Sequence, residues 1–90
     1  GIGAAEDRRR GLGGQALRLL LHFVFAEVNL HRVTAMVPEY NEAAIHLLRK
    51  FGFTEEVRRR EGADRDGRRW DTLTFGLLRS EWEEQVKGPR

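Results

Sequence analysis

Ninety residues with 40% hydrophobic and 33% charged side chains make one small globular domain, or a piece of one, and are too apolar for a disordered chain. No run of about 18 apolar residues is present to span a bilayer, no apolar stretch follows a basic one at the N-terminus, and there is no cysteine. Transmembrane helices, disulfides, thiolate metal sites and cysteine nucleophiles are thereby excluded, no secretory signal is expected, and a cytoplasmic location is the expectation. The formal charge is +2, and 14 of the 16 basic residues are arginine, a bias that suits planar recognition of phosphates.

The chain opens on small residues, Gly1 to Ala5, followed by Glu6-Asp7-Arg8-Arg9-Arg10 and then Gly11-Leu12-Gly13-Gly14-Gln15. From Leu12 to Val28 apolar residues recur at helical spacing, and they cover most of the helix circumference, which predicts a buried helix. Val33, Ala35 and Val37 alternate with Arg32, Thr34 and Met36, which predicts a strand closed by Pro38. Asn41 stands as an N-cap before a helix with Ala44, Ile45, Leu47, Leu48 and Phe51 on one side, and Gly52 sits at its C′ position. Phe53 to Glu61 reads as a strand, Asp66-Gly67 as a two-residue hairpin turn, and Trp70 to Leu78 as a strand with Leu73, Phe75 and Leu77 on one face. Ser80 and Glu83 make a capping box for a short last helix containing Trp82. The expected order is loop–α–β–α–β–β–α, a mixed α/β fold.

The segment richest in chemistry is Arg8-Arg9-Arg10-Gly11-Leu12-Gly13-Gly14 running into a helix. Glycines allow close backbone approach, and the first free helix amides carry the positive end of the dipole, so the turn is suited to an anion such as phosphate. The arginines add charge-assisted hydrogen bonds. The plainer alternative is a helix-initiating loop with solvated arginines. No Lys-Ser/Thr pair follows the glycines, so this is not a P-loop. Gly11, Gly13 and Ala16 match G-x-G-x-x-A, with Glu39 as a conceivable ribose-binding acid, but the apolar strand that a dinucleotide fold needs before the first glycine is replaced by charged residues.

Arg8-x-x-Gly11-x-Gly13 resembles the pyrophosphate loop of the GNAT N-acetyltransferase superfamily. Asn41, Ala44-Ile45, Leu47-Leu48 and Lys50-Phe51-Gly52-Phe53 resemble its second block, an asparagine-headed helix with a glycine turn. Arg60-Glu61, Asp66-Gly67, Asp71 and Leu77-Leu78-x-x-Glu81-Trp82 resemble the branch that acetylates N-termini of ribosomal proteins. The resemblance implies that acetyl-CoA binds as substrate. Backbone amides from Arg9 to Gly14 would take the pyrophosphate, with Gln15 opening the helix, the arginines serving the phosphates and Asn41 reaching the pantetheine arm or an ordered water near it. It implies direct acetyl transfer to a primary amine, an acceptor the sequence does not name.

The same resemblance marks two departures. Leu48 stands where many members carry a tyrosine acid, and Tyr40 is not at that position. The chain would also start inside the fourth strand, so residues 1–90 would be the C-terminal, acetyl-CoA-binding part of a GNAT domain. Substrate-facing elements and the usual base would lie elsewhere, and no catalytic residue is assigned. Self-association, or pairing with an N-terminal half, is expected for the exposed strand edge at Val33–Val37 and the apolar face around Leu19 and Phe23.

Other candidates have simpler explanations. His22, His31 and His46 are not at metal-ligand spacing, so no metal is expected. Glu55 and Glu56 read as strand-edge charges rather than a catalytic pair. Arg58-Arg59-Arg60 and Arg68-Arg69 are interleaved with Glu61, Asp64, Asp66 and Asp71, which favours an ion-paired hairpin over a nucleic-acid surface. The alternative to an acetyltransferase is a non-catalytic module that binds a phosphate ligand or presents an arginine-rich interaction surface.

Overall fold

The computed structural model of the chain describes residues 13–87. The described residues fall into two compact units, one ending at Leu30 and the other beginning at His31. In the first, helix α1 occupies 13–22 and continues as a π-helical turn over Phe23–Glu27, where the Val28 amide donates to the Phe23 carbonyl at 2.9 Å. Asn29 then takes φ +68, a left-handed geometry that asparagine tolerates, and the Leu30 amide turns back to the Val24 carbonyl. The helical path therefore closes near Val28 as its apolar spacing predicts, although its last turn is not α-helical. Burial falls short of the expectation: Leu21 and Phe25 are buried, whereas Leu19 is 71% and Phe23 55% exposed.

The second unit runs β1 (Arg32–Pro38), α2 (Glu42–Lys50), β2 (Thr54–Arg65), β3 (Arg68–Leu78) and α3 (Arg79–Lys87). The strands form an antiparallel sheet in the order β1-β3-β2, so β3 is central. Val33 pairs with Leu77, Ala35 with Phe75 and Val37 with Leu73, which sets one face of the sheet apolar. Leu73, Phe75 and Leu77 on that face, together with Leu48 and Phe53, are the buried apolar side chains among the described residues of this unit. The opposite face carries Thr34, Met36, Thr74 and Gly76, and Met36 is largely exposed.

Both strands of the hairpin are longer than expected, β2 reaching Arg65 and β3 beginning at Arg68. The reason is the turn: Asp66 and Gly67 both have positive φ (+56 and +69), the type I′ geometry whose twist lets pairing continue to the tip. Phe53 lies outside β2 because its amide is engaged elsewhere. It donates to the Leu48 carbonyl while the Gly52 amide donates to the Arg49 carbonyl, a Schellman closure of α2 with Gly52 at φ +88. Leu48 and Phe53, the apolar pair that accompanies this motif, are both buried. The side-chain amide of Gln85 on α3 donates to the Phe51 carbonyl and ties the last helix to the same turn.

The start of α3 corrects the expected Ser80–Glu83 capping box. The helix begins at Arg79, so Ser80 lies inside it, and the Glu81 carboxylate accepts from the Leu78 amide at 2.9 Å. The preceding strand dictates this: the Arg79 amide still donates to the His31 carbonyl as the β1–β3 ladder ends, which places the helix start immediately after Leu78. Glu83 instead pairs with Arg79 one turn earlier, at 3.1 Å.

Candidate functional site

Of the residues expected to bind acetyl-CoA, Arg8, Arg9, Arg10, Gly11 and Leu12 lie outside the described residues. Gly13 and Gly14 are half-buried and Gln15 is exposed, and all three belong to the opening turn of α1 in the first unit. Asn41 heads α2 in the second unit. Its Oδ1 accepts from the Ala44 amide at 3.2 Å, its carbonyl accepts from the Ile45 amide, and its own amide donates to the Pro38 carbonyl at 3.0 Å. With Oδ1 committed to the cap, the Nδ2 amide of this exposed side chain is left as a donor without a partner among the described residues. Leu48 is buried under α2 and offers no proton.

A charged cluster that sequence reasoning did not assemble holds the chain just before Asn41. The Glu39 amide donates to the Asp71 carbonyl at 2.9 Å, and the Asp71 amide donates back to Glu39 Oε1 at 3.2 Å. One guanidinium nitrogen, Arg58 Nη1, then holds Glu39 Oε2 at 3.0 Å and Asp71 Oδ2 at 2.8 Å. The remaining Asp71 oxygen accepts from the Glu61 amide at 3.0 Å. Arg58 and the Glu61 amide hold the Asp71 carboxyl below its ordinary range, and Asp71 and Glu39 in turn raise the Arg58 guanidinium. Glu39 is therefore occupied by this contact rather than presented as a ribose acid.

The cluster sits at an irregularity of β2. Between the pairs Arg59–Thr72 and Ala63–Trp70, three residues of β2 face the single residue Asp71, and Glu61 in this bulge has φ +53. Arg60, Glu61 and Asp71 line an open hollow of about 440 Å³ there. The sequence signal for it was the failure of Arg58-Arg59-Arg60 to alternate, which marks an interrupted strand.

The rest of the hairpin is ion-paired and stacked. Arg69 lies 3.6 Å from Asp64 and 3.9 Å from Glu61, Arg65 lies 3.6 Å from Asp66, and Arg58 is also within 3.6 Å of Glu55. Tyr40 and Trp70 meet edge-on at 5.5 Å between centroids, with Arg65 over the tyrosine ring and Arg68 over the indole. Glu55 pairs with Arg49 of α2, so Glu55 and Glu56 do not act together: Glu56 points to Arg32. Among the described residues no group of histidines and carboxylates could hold a metal ion, and no helix is long and apolar enough to cross a membrane.

The family model described as an acetyltransferase (GNAT) domain matches residues 1–54. YdaF of Bacillus subtilis, a candidate ribosomal N-acetyltransferase, is 32% identical over 80 residues, covering 89% of this chain and 44% of that protein. The spermidine N(1)-acetyltransferase of Escherichia coli K12 is 37% identical over 51 residues, covering 57% of this chain and 27% of its own length. Among solved structures, mutant forms of the spermidine/spermine N-acetyltransferase SpeG from Vibrio cholerae superpose with a TM-score of 0.78 at 28% identity, over 89% of this chain and 48% of that one. This chain thus spans less than half the length of these relatives. The arginine-rich interaction module is not favoured by these likenesses. With the family model covering more than half of the residues and the three-stranded sheet and helices superposing on solved acetyltransferases, the chain belongs to the GNAT acetyltransferase family.

Proposed function

We propose that residues 1–90 are the acetyl-CoA-binding part of an enzyme that transfers an acetyl group from acetyl-CoA to a primary amine. Asn41 carries this reading. Its Oδ1 is spent on the helix cap, while its Nδ2 remains an outward-facing donor for the amide-rich pantetheine arm. Gly13, Gly14 and Gln15 open α1, and the sequence Arg8, Arg9, Arg10, Gly11 and Leu12 that precedes them supports this stretch as the pyrophosphate-binding segment. In the reaction the neutral amine nitrogen attacks the thioester carbonyl carbon. The carbon–sulfur bond breaks, coenzyme A leaves as thiolate, and the amine proton is lost, with no acyl-enzyme formed. The names of the relatives, a spermidine N(1)-acetyltransferase and a candidate ribosomal N-acetyltransferase, support a primary amine as acceptor. The absence of cysteine supports a cytoplasmic setting.

Calorimetry with acetyl-CoA, NAD and ATP tests the reading. Acetyl-CoA is expected to bind well ahead of the other two, and Gly13→Val to abolish that binding by blocking backbone approach. Equal binding of NAD, or an unaffected Gly13→Val protein, overturns it. Coenzyme A release by the enzyme of which these residues are a part, in the presence of spermidine or of a peptide with a free N-terminus, then separates the two acceptor classes.

A further inference from the structure

The charged cluster before α2 has a role that the cofactor reading does not use. We infer that Arg58 is a positioning residue for Asn41: by neutralising Glu39 and Asp71 together, it fixes the turn from which Asn41 presents its free amide to acetyl-CoA. The inference rests on the proposed function of Asn41.

The connection is short and fully bonded. Glu39 lies two residues before Asn41, and both its backbone amide and its carboxylate are held by Asp71, an arrangement that joins the end of β1 to the centre of the sheet. The Asn41 amide closes the same turn onto Pro38. Two carboxylates brought to one guanidinium nitrogen are tolerated only while that cation is present, since like charges at this spacing disfavour each other. Without Arg58, Glu39 is expected to swing away from Asp71, which releases the turn but leaves the buried core of Leu48, Phe53, Leu73, Phe75 and Leu77 untouched. Lysine can supply the charge from this position, though not the planar fork.

A double-mutant cycle on the full chain reads the coupling, with the acetyl-CoA dissociation constant from calorimetry and folding checked by thermal unfolding. Arg58→Met is expected to weaken acetyl-CoA binding about tenfold when Asn41 is present and less than about twofold in an Asn41→Ala background. Glu39→Gln placed on Arg58→Met removes the conflict between carboxylates and is expected to restore most of the affinity, and Arg58→Lys to retain it. Should Arg58→Met not fold, Glu39→Ala reads the same link from its other end, with the same dependence on Asn41. Equal losses in both backgrounds, or no recovery with Glu39→Gln, overturn the positioning role. If Asn41→Ala weakens binding while Arg58→Met leaves it unchanged, this inference alone fails. If Asn41→Ala binds acetyl-CoA as the unaltered chain does, the reading of Asn41 fails and takes the inference with it.

Discussion

The Glu56 carboxylate lies over Gly76 and pairs with the Arg32 guanidinium, so one ion pair passes across the central strand and joins β2 to β1. It can do so in this position because Gly76 has no side chain: a Cβ there would fall within 2.6 Å of the Glu56 carboxyl atoms, inside van der Waals contact. Gly76→Ala is expected to swing that flexible carboxylate aside and break the part-exposed ion pair, lowering stability by no more than about 1 kcal/mol. Gly67→Ala is the control, since its surroundings are open and only the left-handed backbone resists, at about 1–2 kcal/mol. Denaturant titration with matched slopes checks both, and Glu56→Ala on top of Gly76→Ala should recover part of the first loss but none of the second.

Asp71 makes stability depend on acid. Its carboxyl titrates below its ordinary value of 3.8 in the folded chain, because the charged form is held by Arg58 and the Glu61 amide. A depressed carboxyl stabilises the fold above the unfolded value and loses that contribution as pH falls through the folded one. Asp71→Asn should therefore melt lower than the unaltered chain at neutral pH, and the gap should narrow as the pH drops below 3.8. Melting curves recorded over that range decide the matter, and a gap that stays constant with pH would remove the charge from the explanation.

Asn41 separates a structural task from a binding one. Asn41→Ala loses the cap on α2 and should cost about 1 kcal/mol of stability. Asn41→Asp keeps a cap acceptor and should be nearly neutral in stability, yet it cannot donate to the pantetheine arm and adds negative charge near phosphates. Unfolding and acetyl-CoA calorimetry on the two variants are expected to rank them in opposite order for at least the aspartate. Full affinity in Asn41→Asp would leave the residue a cap and nothing more.

Leu19 and Phe23 lie one turn apart on α1, and both are mostly exposed. Exposed apolar pairs of this kind promote association, and β1 separately presents an edge bonded only to β3 among the described residues. Sedimentation of the ninety-residue chain is expected to show species larger than a monomer. Leu19→Glu with Phe23→Glu should shift it toward monomer with a stability change within about 0.5 kcal/mol per site, as for surface positions.

The features legible in the sequence are those whose partners are close along the chain. Asn41 meets Ala44, Gly52 closes a turn begun at Leu48, and Asp66-Gly67 connects strands it directly adjoins. Leu73, Phe75 and Leu77 were readable for the same reason, since alternation is a local property of a strand. The Glu39–Arg58–Asp71 cluster was not readable, because it gathers the end of β1, the middle of β2 and the start of β3, and nothing local says that Arg58 leaves the alternation to face two acids. Ser80 misled for a related reason. Its local surroundings suit a cap, but the β1–β3 ladder runs one hydrogen bond further and starts the helix at Arg79.

The two sides of β3 differ in how far along the chain their partners lie. On one side Arg65 pairs with Arg68 across the two-residue turn, and pairing can zip outward from there; on the other, even the nearest pair, Pro38 with Thr72, encloses α2 and the whole of β2. Loop closure of that length opposes β1 until the hairpin has formed a surface for it. The hairpin is then the early structure and β1 the late arrival, and the reverse path follows on opening. Amide hydrogens of β1 should exchange with deuterium sooner than those in the regular stretch of β2 and β3, so that the sheet sheds its first strand in the chain before it parts with the other two.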